Sequence, residues 1–163
     1  MKKKLVIAAF AASLVATAIT PANAALTGTV NKGVLTIATD NPAYSPWFDS
    51  NKPANGKGFE SAVAYAVAKQ LGYSASQVKW VTASFDSVIQ PGKKNFDFDI
   101  NQVSITPERQ KAVDFSTGYY DVAQTVVALK SSRIAGAKTI AALSAAKLGA
   151  ATGTTSLTAI TST

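Results

Sequence analysis

Ser104, Thr106 and Arg109 place two hydroxyls and one guanidinium within six residues, and Pro107-Glu108 between them marks a helix start. Thr106 suits the N-cap, Pro107 the first helical position, and Glu108 in the first turn complements the positive end of the helix. Arg109 then falls inside that turn. A guanidinium offers a planar fork to both oxygens of a carboxylate, and the free amides of a helix start add donors beside it. The chemistry on offer is capture of a small carboxylate. A plainer reading stands next to it, in which Arg109 pairs with Glu108 or a surface acid and Thr-Pro-Glu only starts a helix.

The remaining reactive groups narrow the field. The 163-residue chain has no histidine and no cysteine, which removes Ser-His and Cys-His catalysis, the usual zinc ligand sets and any disulfide framework. No motif asks for a cofactor or a metal. Asp97 and Asp99 alternate with Phe96, Phe98 and Ile100, so acids and apolar groups take opposite faces of a strand. Two carboxylates so spaced suit acid/base work or a metal ion. No third ligand is signalled nearby, however, and a solvated strand face is the simpler expectation.

These residues need elements to hold them. Val34 to Thr39 reads as a buried strand ended by Asp40-Asn41-Pro42, delivering a loop that carries Tyr44, Trp47 and Phe48. After the Asn55-Gly56-Lys57-Gly58 turn, Phe59, Val63, Val67 and Leu71 recur four apart, with Ala62 and Ala66 on the same face and Gly72 as a stop. The spacing predicts an amphipathic helix that buries that face. Val78 to Val81 predicts a second strand, Ser84 caps a short helix through Ile89, and Pro91-Gly92 breaks it. Phe96 to Ile105 predicts a third strand, followed by a helix from Pro107 to about Val113 and an apolar strand at Thr125 to Leu129. From Lys130 the composition turns to Ala, Thr, Ser and Gly, with a helix expected near Ile140 to Ala146 and a strand at Leu148 to Ala151. Alternating strands and helices predict an α/β fold with a mostly parallel sheet, and the change near Lys130 predicts a domain crossing.

Residues 1–24 stand apart. Lys2, Lys3 and Lys4 precede an apolar run from Leu5 to about Ala18, and Ala22-Asn23-Ala24 fits a cleavage site, so a signal peptide and an exported, periplasmic or secreted protein are expected. Without a cysteine, no lipid anchor is expected. Removal of the leader lowers the formal net charge from +7 to +4. The lysines are scattered and do not interleave with aromatics, which argues against nucleic acid as a partner.

In order along the chain stand Lys57-Gly58-Phe59-Glu60 opening a helix that ends in Leu71-Gly72, Phe85-Asp86, Gly92-Lys93 before Phe96-Asp97, Ser104 to Arg109, Asp114-Phe115-Ser116, Tyr119-Tyr120 and Gly153-Thr154-Thr155-Ser156. This pattern, spanning about residues 34 to 156, resembles the bacterial extracellular solute-binding proteins for polar amino acids, the receptors of ABC importers. The resemblance implies a periplasmic-binding-protein-like fold of two α/β lobes joined by a hinge, with a free amino acid closed between them and a membrane permease as partner. A monomer is expected. By the same resemblance Arg109 holds the ligand α-carboxylate, Ser104 and the backbone of Gln102 contact its ammonium and carboxylate, and Thr155 at a helix N-terminus on the second lobe adds donors. Tyr44 and Phe85 cover the aliphatic part of the ligand from either side.

Alternatives remain open at several of these positions. Phe85 also fits as core under the short helix, and Tyr44 as a loop cap. Trp47 either lines the cleft or plugs the lobe surface; Asp40 either braces the loop or meets ligand. Gln102 stands where the family usually has a small residue, which sets an amide in or beside the pocket. The resemblance divides the chain into a leader (1–24), a first lobe (25–129) and a crossover with the start of a second lobe (130–163). Two ordinary lobes do not fit in the 139 residues left after the leader, so a truncated receptor is expected, and a fragment without ligand function is the alternative. A dehydratase of the same fold would need Asp99 or Glu60 as general acid, and neither is well placed for it.

Overall fold

A computed structural model describes residues 28–162; the expected leader, residues 1–24, lies outside them. Three parallel strands make the sheet: β1 (Leu35–Thr39), β2 (Val78–Thr82) and β3 (Phe98–Asp99), in the order β2-β1-β3. β1 is the middle strand, pairing Leu35 with Val78 through Thr39 with Thr82 on one side, and Ile37 with Phe98 and Ala38 with Asp99 on the other. All five of its residues are buried, as a run rich in β-formers must be when neighbours and packed elements cover it on every side. The core gathers Leu35, Ile37, Ala43, Phe48, Ala64, Ala68, Tyr73 and Ile100 around this strand. The parallel α/β architecture predicted from the strand and helix alternation is what the chain adopts.

Between β1 and β2 runs α1 (Phe59–Gln70). Its start is clamped to the preceding loop: Phe59 N–H donates to Pro46 O at 3.1 Å and Glu60 N–H to Trp47 O at 3.0 Å. Gly58 makes this possible, having φ +89 and room for no Cβ, which would lie 2.5 Å from Trp47 O. The buried face differs from the predicted one. Glu60, Ser61, Ala64 and Ala68 go inward, while Phe59, Ala62, Ala66 and Val67 are exposed and Val63 and Leu71 are half-buried. Small side chains at 61, 64 and 68 let the helix approach the sheet closely, and the branched stripe beside them turns toward a groove of about 570 Å³ shared with Val88, Phe98, Ile100 and Phe115. Hydrophobic spacing alone cannot rank two adjacent faces when one is made of small residues.

After β2 comes α2 (Phe85–Val88), with Ser84 at its N-cap in extended conformation but without a side-chain cap bond. The third strand is shorter than predicted. Backbone bonds from Asp97 N–H to Thr36 O and Ile100 N–H to Ala38 O extend the ladder by a residue at each end. It stops there because Gln102 takes a left-handed φ of 46° and turns the chain away. The acids of this strand are not solvated. Asp97 accepts from Val30 N–H at 2.7 Å and Thr36 N–H at 2.6 Å, tying the chain before β1 to the sheet edge, and Asp99 is half-buried.

Thr106 caps α3 (Pro107–Gln110) as its sequence predicts, accepting from Arg109 N–H at 3.3 Å. The helix ends at Gln110 rather than near Val113, since Arg109 is its only buried residue and no apolar face holds it longer. Among the described residues, Thr125 to Leu129 and Leu148 to Ala151 form no strand, and the expected helix at 140–146 is reduced to a single 3-10 turn at Ala141–Leu143. Val126, Val127 and Leu129 are exposed. β-propensity expresses itself only against a neighbouring strand, and these segments have none here. α4 (Thr155–Thr161) follows, capped by Thr154, whose hydroxyl accepts from Leu157 N–H at 3.3 Å.

Candidate functional site

Local signals put Arg109 one turn into α3, and packing then buries it: the residue is 8% exposed. Its Nη1 donates to Ser104 O at 2.7 Å and its Nη2 to Gly153 O at 2.9 Å. The Phe85 ring lies against the guanidinium, with the Arg109 Cζ 5.3 Å from its centroid, a cation–π geometry. Burial lowers the Arg109 pKa from its ordinary value, and among the described residues no carboxylate answers the charge. A guanidinium carries five N–H donors. Two are held by carbonyls, which fix the plane of the fork.

The Gly153 to Ser156 segment meets this cluster. Thr155 Oγ1 is 3.3 Å from Ser104 Oγ and accepts from Gln124 Nε2 at 3.2 Å, while Ser156 Oγ donates to Gln124 Oε1 at 2.8 Å. Four of the eight sequence-predicted site residues thus come together: Arg109, Ser104, Phe85 and Thr155.

A second group adjoins them through Ser104. Trp47, Glu60, Gln102, Ser104, Tyr119 and Tyr120 line a cavity of about 450 Å³. Trp47, one of the residues lining the cavity, packs edge-on against Tyr120 at 4.9 Å and Phe59 at 5.9 Å. Glu60 is fully buried and accepts from Gln102 N–H at 2.8 Å, from Gln102 Nε2 and from Tyr119 Oη at 2.6 Å. The Gln102 N–H is therefore spent on Glu60, leaving its carbonyl as the free backbone group. Burial first, then the bond to Glu60, raises the Tyr119 pKa.

Tyr44 and Asp40 are not brought to either group. Tyr44 is 67% exposed; its carbonyl accepts from Phe48 N–H at 2.9 Å. Asp40 Oδ1 accepts from Asn41 N–H at 2.7 Å, bracing the loop. Its charge nevertheless reaches inward: the Asp99 pKa is raised from 3.8 to about 7, first by burial, then by Glu60 and Asp40, against a smaller opposite effect of Lys94. Buried polar atoms without a partner among the described residues include Thr39 Oγ1, Asp99 Oδ1 and Asn101 Nδ2, all at the carboxyl ends of β1 and β3. That end of a parallel sheet is where α/β proteins receive ligands.

Tyr119 escapes sequence reasoning as a site residue, and Glu60 enters it only as a general acid of the dehydratase alternative. The available signal is phase: Glu60 falls four and eight residues before Ala64 and Ala68, on the stripe that packs inward. Neither a cluster of three or more potential metal ligands nor a helix long and apolar enough to cross a membrane occurs among the described residues.

The chain is similar to the ABC transporter arginine-binding protein 1 of Escherichia coli strain K12, at 32% identity over 154 residues, 94% of this chain and 56% of that protein. It is 31% identical over 135 residues to the arginine-binding extracellular protein ArtP of Bacillus subtilis strain 168, covering 82% of this chain and 51% of the other. To the L-cystine-binding protein TcyJ of Escherichia coli strain K12 it is 38% identical over 92 residues, 54% of this chain and 32% of that one. The chain thus spans about half the length of the first two of these curated relatives. No solved structure matches it significantly. The profile of the bacterial extracellular solute-binding proteins, family 3, matches residues 35–162, and the chain belongs to that family.

Proposed function

We propose that this protein captures a free amino acid by its α-carboxylate and presents it to the membrane permease of an ABC importer, working outside the cytoplasmic membrane as an exported protein. One observation carries the reading: a buried guanidinium with spare donors and no acid beside it, held between the Ser104 loop and the Gly153 turn. A buried cation without a counter-ion costs several kcal/mol, and an incoming carboxylate supplies what is missing in bidentate form. In this reading residues up to 129 form one lobe, residues from 130 begin another, and Arg109, Ser104 and Thr155 face the cleft between them. Tyr44 and Asp40 reach the ligand only if their loop moves toward it.

The ligand we propose first is L-arginine. Two of the relatives carry arginine in their names, and the charges of Glu60 and Asp40 act on this side of the sheet. Thermal unfolding of the chain with L-arginine, L-histidine and L-cystine tests the proposal. Ligand at 100 times its Kd stabilises by about 2.7 kcal/mol, a rise in Tm of roughly 10 °C for a domain of this size. Arg109→Ala is expected to abolish that rise while leaving the protein folded. An undiminished rise in the variant removes Arg109 from the site, and no rise with any of the three amino acids overturns the receptor reading.

A further inference from the structure

Glu60 is the most deeply placed acid of the chain, and neither capture of a carboxylate nor the strand ladder uses it. It is fully buried in the first turn of α1, where Gly58 and the Pro46 and Trp47 carbonyls fix the backbone. Both donors it takes from position 102, the backbone N–H and Nε2, belong to one residue. That residue, Gln102, has φ 46°, a left-handed conformation that a non-glycine side chain resists. Two residues further on, Ser104 supplies the carbonyl that orients Arg109 and the hydroxyl that meets Thr155. The chain between the end of β3 and Ser104 is thus bent at one strained residue, and that residue is gripped from below by a buried carboxylate.

We propose that Glu60 is a positioning residue for ligand capture: by chelating Gln102 in its left-handed conformation, it sets the Gln102 to Ser104 loop where Arg109 and Ser104 can receive a carboxylate. The proposal rests on the receptor reading above and assigns Glu60 no contact with the ligand. Tyr119 Oη donates to the same carboxylate at 2.6 Å and holds it in place beside Gln102. Glycine at position 102 adopts the left-handed region without cost, so it should make the grip dispensable.

A double-mutant cycle tests this, with L-arginine as probe and affinity read by calorimetry on the full chain. Glu60→Gln, which removes the charge and turns one of the two acceptor oxygens into a donor facing Gln102 or Tyr119, is expected to weaken binding at least tenfold. In the Gln102→Gly background the same substitution is expected to weaken it less than threefold. Equal losses in both backgrounds overturn the proposal, since a ligand contact or a general loss of packing by Glu60 would not care what stands at position 102. Should Glu60→Gln fail to fold, Gln102→Gly is compared with Gln102→Ala: glycine is expected to bind at least fivefold more tightly than alanine, and equal affinities overturn the proposal. If the wild-type chain does not bind L-arginine, the choice of ligand fails separately. The positioning role is then read by amide hydrogen exchange, where Glu60→Gln is expected to speed exchange at Gln102 and Val103 at least tenfold, and unchanged rates refute it.

Discussion

Replacing Asp99 by asparagine should flatten the dependence of folding stability on pH. The Asp99 pKa is raised from 3.8 to about 7, by burial above all and then by the charges of Glu60 and Asp40. Between those two values the unfolded chain has released its proton while the folded chain still holds it. Stability is then fully present below the unfolded pKa, falls as pH rises, and levels off above the folded pKa. At about 1.4 kcal/mol per pH unit the raised value corresponds to a loss of about 4 kcal/mol, an upper limit that relaxation and water entry reduce. Even half of that is a large part of the roughly 5–15 kcal/mol that holds a domain folded. Urea unfolding of wild type and Asp99→Asn from pH 4 to pH 8 measures it, because titrating groups not coupled to Asp99 cancel in the difference. The difference should move in favour of the variant by about 2–4 kcal/mol as pH rises. A difference that stays constant within about 0.5 kcal/mol, the scatter expected for a neutral surface substitution, refutes the placement of Asp99 as a buried acid beside two others.

Two further substitutions probe the elements beneath the site. Gly58→Ala, which sets a Cβ 2.5 Å from Trp47 O at φ +89, should cost at least about 2 kcal/mol in urea unfolding, because a backbone atom must move to make room. Asp97→Ala, which deprives Val30 and Thr36 of the acceptor for their N–H groups, should cost about 1.5–3 kcal/mol with an unchanged denaturant slope.

What the sequence makes legible here are the features that close over a few residues. Thr106, Pro107 and Glu108 announce α3 because a cap, a preset φ and a complementary charge act within one turn. β1 and β2 are legible for a similar reason: a short run of β-formers between turn residues has few other uses. Thr125 to Leu129 carries the same signal, yet no strand forms among the described residues, because pairing depends on what lies alongside and composition does not encode that. The inward face of α1 was hidden by its own modesty: serine and two alanines make a weak apolar signal but permit the closest packing, and the stronger valine stripe faces the groove.

The candidate site divides along the same line. Arg109 is reachable from its own hexapeptide, and Ser104 with it. Glu60 is not, since its partners stand at Gln102 and Tyr119, 42 and 59 residues away, and a lone glutamate in a first helical turn ordinarily serves the helix dipole at the surface. Three acceptor bonds change that meaning, because a carboxylate that leaves water must recover its hydrogen bonds inside. The left-handed φ of Gln102 is equally silent in sequence, for glutamine gives none of the warning that glycine or asparagine would. Strain at a non-glycine residue persists only where its surroundings over-determine it. In this chain the surroundings are one buried acid, which is why the bend at Gln102 and the burial of Glu60 have to be explained together.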